Sequence, residues 1–392
     1  MRILLMPSSF PPVLGGLQTV VHTLAKHLPA SGHDVLVVTN RYPRSLPGQE
    51  IIDGVRVYRW HFLSPHLEDL IRRRPDLFMA SLYFCPSVFL RLYQLMRTYR
   101  PEVINIHFPD AQVPFVLWLK RCFEFRLVVS LHGHDIERWF ETGRSTSALP
   151  PHDATGLRPG RNSLRSLLRQ ADAVTACSRN LLEQAIRLES SVGEKGHVVH
   201  NGIDLDRFKD STYFQHPRPY ILSLGRLCRQ KGFDMLLDAF ARVAPNHPGI
   251  DLLIAGDGEE REALQAQARR LGLAGRVSFF GRATPDEVVQ LLNACLFVAV
   301  PSRLESFGIV ALEALAAGKV VLATLVGGLP EFLTGSSNLL VEPKVNSLAD
   351  GLRRLLERRT ELELTGRRNR ERATSLTWAR AVEKYLTAYC GD

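Results

Sequence analysis

The stretch "ESFGIVALEALAAG" carries two glutamates, Glu305 and Glu313, eight positions apart in otherwise apolar surroundings. A strand ends near Pro301 and the pattern predicts a helix starting near Phe307. If both glutamates were helical, about 12 Å of helix axis would separate them. Retaining glycoside hydrolysis needs its two carboxyls about 5–5.5 Å apart, and inverting hydrolysis about 6.5–9.5 Å. The spacing therefore argues against an acid–nucleophile pair and suits two grips on one elongated ligand. The backbone amides near Gly308 and Ile309, at the helix start, could hold a pyrophosphate between them. The competing reading makes Glu305 a helix cap and Glu313 an exposed helix residue.

Other residues of the same kind sit in loops. "SLGRLCRQKGFDMLL" places Arg226 and Lys231 between Gly225 and Gly232 at the start of a helix, where two cations suit a diphosphate; the alternative is a solvated surface pair. "AGDGEER" adds Gly256 and Gly258. "PPVLGGLQTVV" sets Gly15 and Gly16 before the first helix, where glycines let amides approach a phosphate or sugar, or simply make a tight turn. It is not the G-x-G-x-x-G fingerprint of dinucleotide binding. "SLHGHDIE" offers His132, His134 and Asp135. These suggest a histidine facing a ligand, or caps of the next segment, rather than a metal cluster, for which further ligands are lacking nearby.

Such loops need strands to carry them. "RILLM", "DVLVVT", "VRVYR", "EVINI", "RLVVSLH" and "AVTACS" read as strands in the first half, and "YILSLG", "DLLIAGDG", "RVSFFG", "LFVAVPS" and "VVLAT" in the second. Helical patterns such as 17–28 and 233–244 lie between them. Strand, helix, strand means parallel sheets. The pattern restarts near Tyr220 after the polar stretch 209–219, which reads as a linker. The expectation is an α/β chain of two Rossmann-like domains: residues 1–210, residues 217–375, and a terminal helix within 376–392 that has no strand after it and folds back on the first domain. Ligands of open parallel sheets bind beyond the carboxyl ends of the strands, so two facing sheets would place a site in the cleft.

Composition agrees with a soluble globular protein: 392 residues, 45% hydrophobic and 23% charged. The six cysteines are scattered without a C-x-x-C pair, which argues against a disulfide framework or zinc site and fits a reducing cytosol. The apolar start "MRILLM" is too short for a signal-peptide core or a membrane span. Net charge is +9, with 26 Lys and Arg against 20 Asp and Glu in residues 1–210 and 23 against 20 in the rest. The excess reads as solubility or as attraction of the first half to an anionic surface. Residues 61–100 mix aromatic, apolar and basic side chains, which suits docking on anionic lipid as well as ordinary packing. Nothing resembles a nucleic-acid module.

Taken together, these segments resemble the family 4 retaining glycosyltransferases of GT-B fold. The E-x7-E pattern of Glu305 and Glu313 carries the likeness, and "GGLQTVVHTLAKHLPASGHDVLVVT", "VSLHGHD", "ACSRNLLEQA", "VVHNGIDLDRF", "GRLCRQKG" and "GGLPEFL" extend it in order over almost the whole chain. The resemblance implies a hexosyltransferase using a nucleotide-sugar donor (UDP-, GDP- or ADP-hexose) as substrate, with no metal or other cofactor. Arg226 and Lys231 would contact the diphosphate, Glu313 the ribose hydroxyls and Glu305 the transferred sugar. His132 would meet that sugar from the first domain, Gly16 would line the pocket, and the backbone near Gly281 and Arg282 would face the base. The loop glycines Gly15, Gly225 and Gly256, and Phe307, Gly308 and Ile309 at the helix start, would complete the donor site. The acceptor implied is a glycan or lipid-linked molecule in lipopolysaccharide, exopolysaccharide or glycolipid assembly, made in the cytoplasm or on the inner membrane face. A catalytically idle sugar-nucleotide-binding partner subunit, or an epimerase or phosphorylase on the same fold, are the alternatives. Lys319 stands where such sequences often carry proline, a departure that touches a turn.

Overall fold

The computed structural model describes residues 1–12, 16–63, 75–137, 161–209, 213–334 and 338–391. The chain forms two compact units, Met1–His200 with Ala381–Asp392, and Asn201–Arg380.

The first unit is built on an eight-stranded sheet. Its strands are β1 (Arg2–Pro7), β2 (Asp34–Asn40), β3 (Gln49–Ile52), β4 (Val55–Trp60), β5 (Val103–His107), β6 (Arg126–Leu131), β7 (Ala173–Ala176) and β8 (Gly196–Val198), in the order β3-β4-β2-β1-β5-β6-β7-β8. All neighbours are parallel except β3 and β4. Continuous apolar runs such as Ile3–Met6 and Val35–Val38 are buried, as strands covered on both faces require.

The second unit has a six-stranded parallel sheet: β9 (Tyr220–Leu224), β10 (Asp251–Ala255), β11 (Val277–Gly281), β12 (Val298–Val300), β13 (Val321–Thr324) and β14 (Leu339–Val341), ordered β11-β10-β9-β12-β13-β14. Its core joins Ile221, Leu236, Phe240, Ile254, Phe297, Leu322 and Leu352. The strand order reverses between β9 and β12, and at that switch point parallel sheets bind ligands beyond their carboxyl ends.

The strands that the sequence did not announce are β3, β8 and β14, each three or four residues long and each at a sheet edge. Short edge strands bury little and leave a weak apolar signal. The division between the units also differs from the expected linker at 209–219, since it falls at His200 and Asn201. Residues after Asn201 are tied into the second unit: Ile203 bridges Thr377, its amide donates to the Leu376 carbonyl at 2.9 Å, and Arg370 donates to the Phe208 carbonyl at 3.3 Å. Residues 210–212 of that stretch lie outside the described residues.

The last helix, Trp378–Cys390, supplies residues to the first unit from Ala381 onward. There Asn105 Nδ2 donates to the Tyr389 hydroxyl at 2.7 Å, and Arg126 Nε donates to the Ala388 carbonyl at 2.9 Å. The hydroxyl of Ser130 donates to Asn105 Oδ1 at 2.9 Å and accepts from Thr175 at 2.8 Å. A polar chain thus crosses β5, β6 and β7 with its buried groups satisfied, the condition under which such a chain fixes one packing.

Candidate active site

In the second unit, three loops interlock at the carboxyl ends of β9, β10 and β11. The Gly225 amide donates to the Ala255 carbonyl at 3.0 Å, Gly256 to Gly281 at 2.7 Å, and Leu227 to Asp257 at 2.9 Å. Gly256 has φ 147°, and a Cβ there would lie 1.8 Å from the Gly225 carbonyl oxygen, so only glycine permits this approach. Gly225 and Gly281 also take positive φ. Arg226 sits half-buried in this knot, and among the described residues no acidic group pairs with it. Arg282, which follows Gly281, is exposed.

Lys231 closes a short turn, Arg229–Lys231, that Gly232 ends at φ 68°. The turn is pressed against the loop after β12, because the Arg303 amide donates to the Gln230 carbonyl at 2.7 Å. Arg303 also makes a two-pronged pair with Asp234 at 2.6 and 2.7 Å. These contacts deliver Lys231 Nζ to Glu305 Oε2 at 2.7 Å, and Ser302 Oγ donates to the same oxygen at 3.1 Å. Glu305 is therefore not a helix cap: the helix Ile309–Ala316 begins with Gly308, without a side-chain cap.

The helix begins after the expected Phe307, so the 12 Å axial spacing does not describe the two glutamates. Phe307 is buried and its ring stacks on Phe332 at 4.9 Å. It can offer a ligand only its backbone. Gly308 turns the chain at φ 104°, and no acidic residue occupies the first helical turn, so that turn supplies no carboxylate of its own to the amides at Ile309 and beyond. Glu313 lies one turn further on. It is half-buried, and loss of solvation pushes its carboxyl up to about 7, against the pull of Arg207. That environment is unlike that of an ordinary exposed helix residue. Arg207 escaped the sequence reading, because its position before a linker gave it no helical or strand neighbour to face.

The Glu305 backbone is held from the other side. Its carbonyl accepts from the Gly328 amide at 3.0 Å, and a Cβ at Gly327 (φ 53°) would fall 1.7 Å from the same oxygen. Gly327→Ala is expected to cost about 3 kcal/mol or more and to lower Tm by roughly 6–12 °C. Gly249→Ala, where a Cβ meets nothing within 4 Å, serves as the control and should leave Tm almost unchanged. Equal melting of the two variants in a thermal scan would remove this account of the loop.

In the first unit, His132 follows β6. Asp135 accepts from the backbone amides of His132 at 3.1 Å and Gly133 at 2.8 Å, so its carboxylate holds the loop. Among the described residues no group of three His, Cys, Asp or Glu could hold a metal. His132 Nε2 meets His107 Nδ1 at 3.1 Å, with the rings near-parallel and 5.4 Å apart. Burial pushes the His132 imidazole down to about 4 and His107 well below its ordinary value. His107 was missed because a histidine ending a strand, in "EVINIH", reads as one more core position. Gly16 opens the helix Gly16–Ala30, whereas Gly15 lies outside the described residues.

The sequence matches two family models, "Glycosyltransferase Family 4" over residues 14–207 and "Glycosyl transferases group 1" over residues 205–372. It is 30% identical to a glycogen synthase of Mycobacterium tuberculosis over 100% of this chain and 96% of that protein. It is 31% identical to the uncharacterized glycosyltransferase MJ1607 of Methanocaldococcus jannaschii over 91% and 89%. The fold superposes on sucrose-phosphate synthase from Thermosynechococcus elongatus with a TM-score of 0.79 at 22% identity, covering 99% and 98% of the chains. It superposes on Anabaena Alr3699/HepE in complex with UDP-glucose with a TM-score of 0.71 at 21% identity, covering 99% and 100%. Two family models that together cover residues 14–372, a relative 30% identical along the full chain and two parallel α/β units make this chain a group 1, family 4 glycosyltransferase of GT-B fold.

Proposed function

We propose that the chain moves a hexosyl group from a nucleotide sugar to an acceptor hydroxyl with retention of anomeric configuration. The observation that carries this reading is the cluster in which Lys231, Ser302 and Glu305 meet at one oxygen, beside a capless helix start and the desolvated Glu313. An ammonium has three donors, so Lys231 can hold Glu305 and still reach a diphosphate oxygen. With Oε2 occupied by Lys231 and Ser302, Glu305 has Oε1 for a hydroxyl of the transferred sugar. Glu313 takes the ribose hydroxyls. Arg226, with no acid to neutralise it among the described residues, serves the diphosphate. His132 of the first unit takes a hydroxyl of the sugar.

Breaking the bond between the anomeric carbon and the diphosphate leaves positive charge on the sugar and added negative charge on the diphosphate. Fixed cations and helix amides stabilise that leaving group more strongly as its charge grows. The acceptor oxygen attacks from the face that the diphosphate vacates, and its proton passes to the departing phosphate oxygen. Neither glutamate is placed as a covalent nucleophile in this scheme.

Related proteins bind or use several nucleotides: UDP-glucose in the Anabaena structure, ADP in Arabidopsis starch synthase IV, and GDP-mannose in a Corynebacterium glutamicum mannosyltransferase. A thermal-shift panel of UDP, GDP and ADP with their hexose conjugates tests donor use. One nucleotide series should raise Tm, with the conjugate exceeding the free diphosphate. A flat response to all of them would refute donor binding.

The acceptor is proposed to be lipid-linked and reached at an anionic membrane surface. The helix Pro75–Thr98 exposes Met79, Leu82, Tyr83, Leu90 and Tyr93, and carries exposed Arg91 and Arg97. Exposed aromatic and aliphatic groups beside arginines suit the interface of an acidic bilayer. The basic run at 72–74 lies outside the described residues. No helix among the described residues is long and apolar enough to cross a membrane. The protein is expected to float with vesicles containing anionic lipid and not with neutral ones, and Tyr83→Ser with Arg91→Glu should abolish flotation. Equal recovery in the unbound fraction with both lipids would eliminate the membrane reading.

A further inference from the structure

The pair of histidines in the first unit carries information that the proposed contact to the sugar does not use. His107 is the last residue of β5, between β1 and β6, and is fully buried. Its Nδ1 lies 3.1 Å from His132 Nε2, while its own Nε2 is buried with no hydrogen-bond partner. The two rings lie near-parallel at 22°. Among the described residues, the groups around the pair include the Tyr385 ring on the last helix, 6.0 Å from His107, the Cys177 thiol, which contacts the His132 carbonyl at 3.8 Å, and the Asp135 carboxylate on the His132 amide. Asp135 accepts from two backbone donors, 2.8 and 3.1 Å away.

Both rings are held neutral by burial. One must then donate and the other accept in the bond they share, and only two arrangements exist. If His132 donated from Nε2, His107 would accept at Nδ1 and carry its own proton on the partnerless Nε2. That would bury an orphan N–H, which folded proteins rarely do. In the other arrangement His107 donates from Nδ1, and the atom left unpaired is a lone pair, the more tolerable orphan. His132 then accepts at Nε2 and carries its proton on Nδ1.

We infer that His107 is a positioning residue that locks His132 into the tautomer protonated on Nδ1, so that His132 presents an N–H donor to its ligand and is neither base nor cation there. This rests on the reading that His132 meets the transferred sugar. A sugar hydroxyl would accept from that N–H.

The test is nitrogen NMR of the full chain with ring-labelled histidines, without ligand, at pH 7. His132→Gln identifies the His132 signals. The expected spectrum shows His132 protonated on Nδ1 and not titrating between pH 5.5 and 8, the window above a group pushed down to about 4. His107→Asn keeps an N–H within reach of His132 Nε2 and should preserve that tautomer, whereas His107→Leu removes the donor that fixes the ring and leaves both tautomers open to it. In turnover, His107→Leu should lower kcat by roughly ten- to a hundredfold with donor KM little changed, and His107→Asn should recover most of the loss. An Nε2-protonated His132 in the wild-type chain overturns the inference, and so does an Nε2-protonated His132 in His107→Asn. Should His107→Leu fail to fold, the wild-type and His107→Asn spectra still decide. If His132→Ala turns over normally while the tautomer is as expected, the sugar contact fails and the lock stands.

Discussion

Lys231→Ala is expected to lower kcat by about 10²–10³-fold, some ~2.7–4 kcal/mol, as for other fixed groups that stabilise developing charge. The ammonium acts twice in this account. It meets the diphosphate as the leaving group gains charge, and it holds Glu305 Oε2 at 2.7 Å. Removing it leaves the half-buried Glu305 carboxylate with Ser302 as the remaining partner at that oxygen, so the sugar grip loosens together with the phosphate clamp. Two effects through one side chain predict non-additivity. Lys231→Ala with Glu305→Ala should cost much less than the two single losses combined. Affinity for the free nucleoside diphosphate should fall in Lys231→Ala and hold in Glu305→Ala. Calorimetry and turnover of the three variants check this, and unchanged diphosphate affinity in Lys231→Ala would place the clamp elsewhere.

The two glutamates should separate in their effects. Glu313→Ala is expected to weaken binding of free nucleoside diphosphate by about 1.5–3 kcal/mol, the worth of hydrogen bonds to a charged group, because the ribose is present in that ligand. Glu305→Ala should leave this affinity almost intact and depress the rate of transfer, since its contact is to the reacting ring. A pH signature accompanies Glu313. Its carboxyl is raised to about 7, so it is largely protonated below that value and ionised above it. Accepting ribose hydroxyls with both oxygens requires the ionised form. Affinity should therefore fall as pH drops from 8 to 6, approaching tenfold per unit below the midpoint. The terminal phosphate of the ligand titrates near pH 6, so the step is read as the difference between wild type and Glu313→Gln. Matching profiles for Glu305→Ala and Glu313→Ala, or a pH step that persists in Glu313→Gln, would contradict the two-ended grip.

Much of this arrangement is written in local patterns. The central strands announce themselves as apolar runs because they are buried on both faces, and the helices 233–244 and 376–389 match Phe233–Val243 and Trp378–Cys390 within a residue or two. The loop residues Arg226, Lys231, Glu305 and Glu313 stand out because charges and glycines follow directly on apolar strands. What stays hidden depends on strand order. The Lys231–Glu305 pair joins residues 74 positions apart and exists because β9 and β12 are neighbours in the sheet. The reason for Gly327 likewise lies in the Glu305 carbonyl, not in its own turn. His107 and His132 meet only through the parallel register of β5 and β6, which sets His107 opposite Ser130. Phe307 shows the converse failure: its place in a functional motif suggested a ligand contact, yet its ring is core.

Hexosyl transfer from a nucleotide sugar with retention can be followed with water standing in for the acceptor. Incubating the protein with UDP-, GDP- and ADP-hexoses in turn, and following the anomeric proton by NMR, reads the chemistry directly. A donor is expected to be slowly split into nucleoside diphosphate and free sugar, with the sugar first appearing as the same anomer as in the donor and with Lys231→Ala suppressing the reaction. First appearance of the opposite anomer, an isomerised nucleotide sugar, a sugar phosphate, or no cleavage of any donor would contradict it.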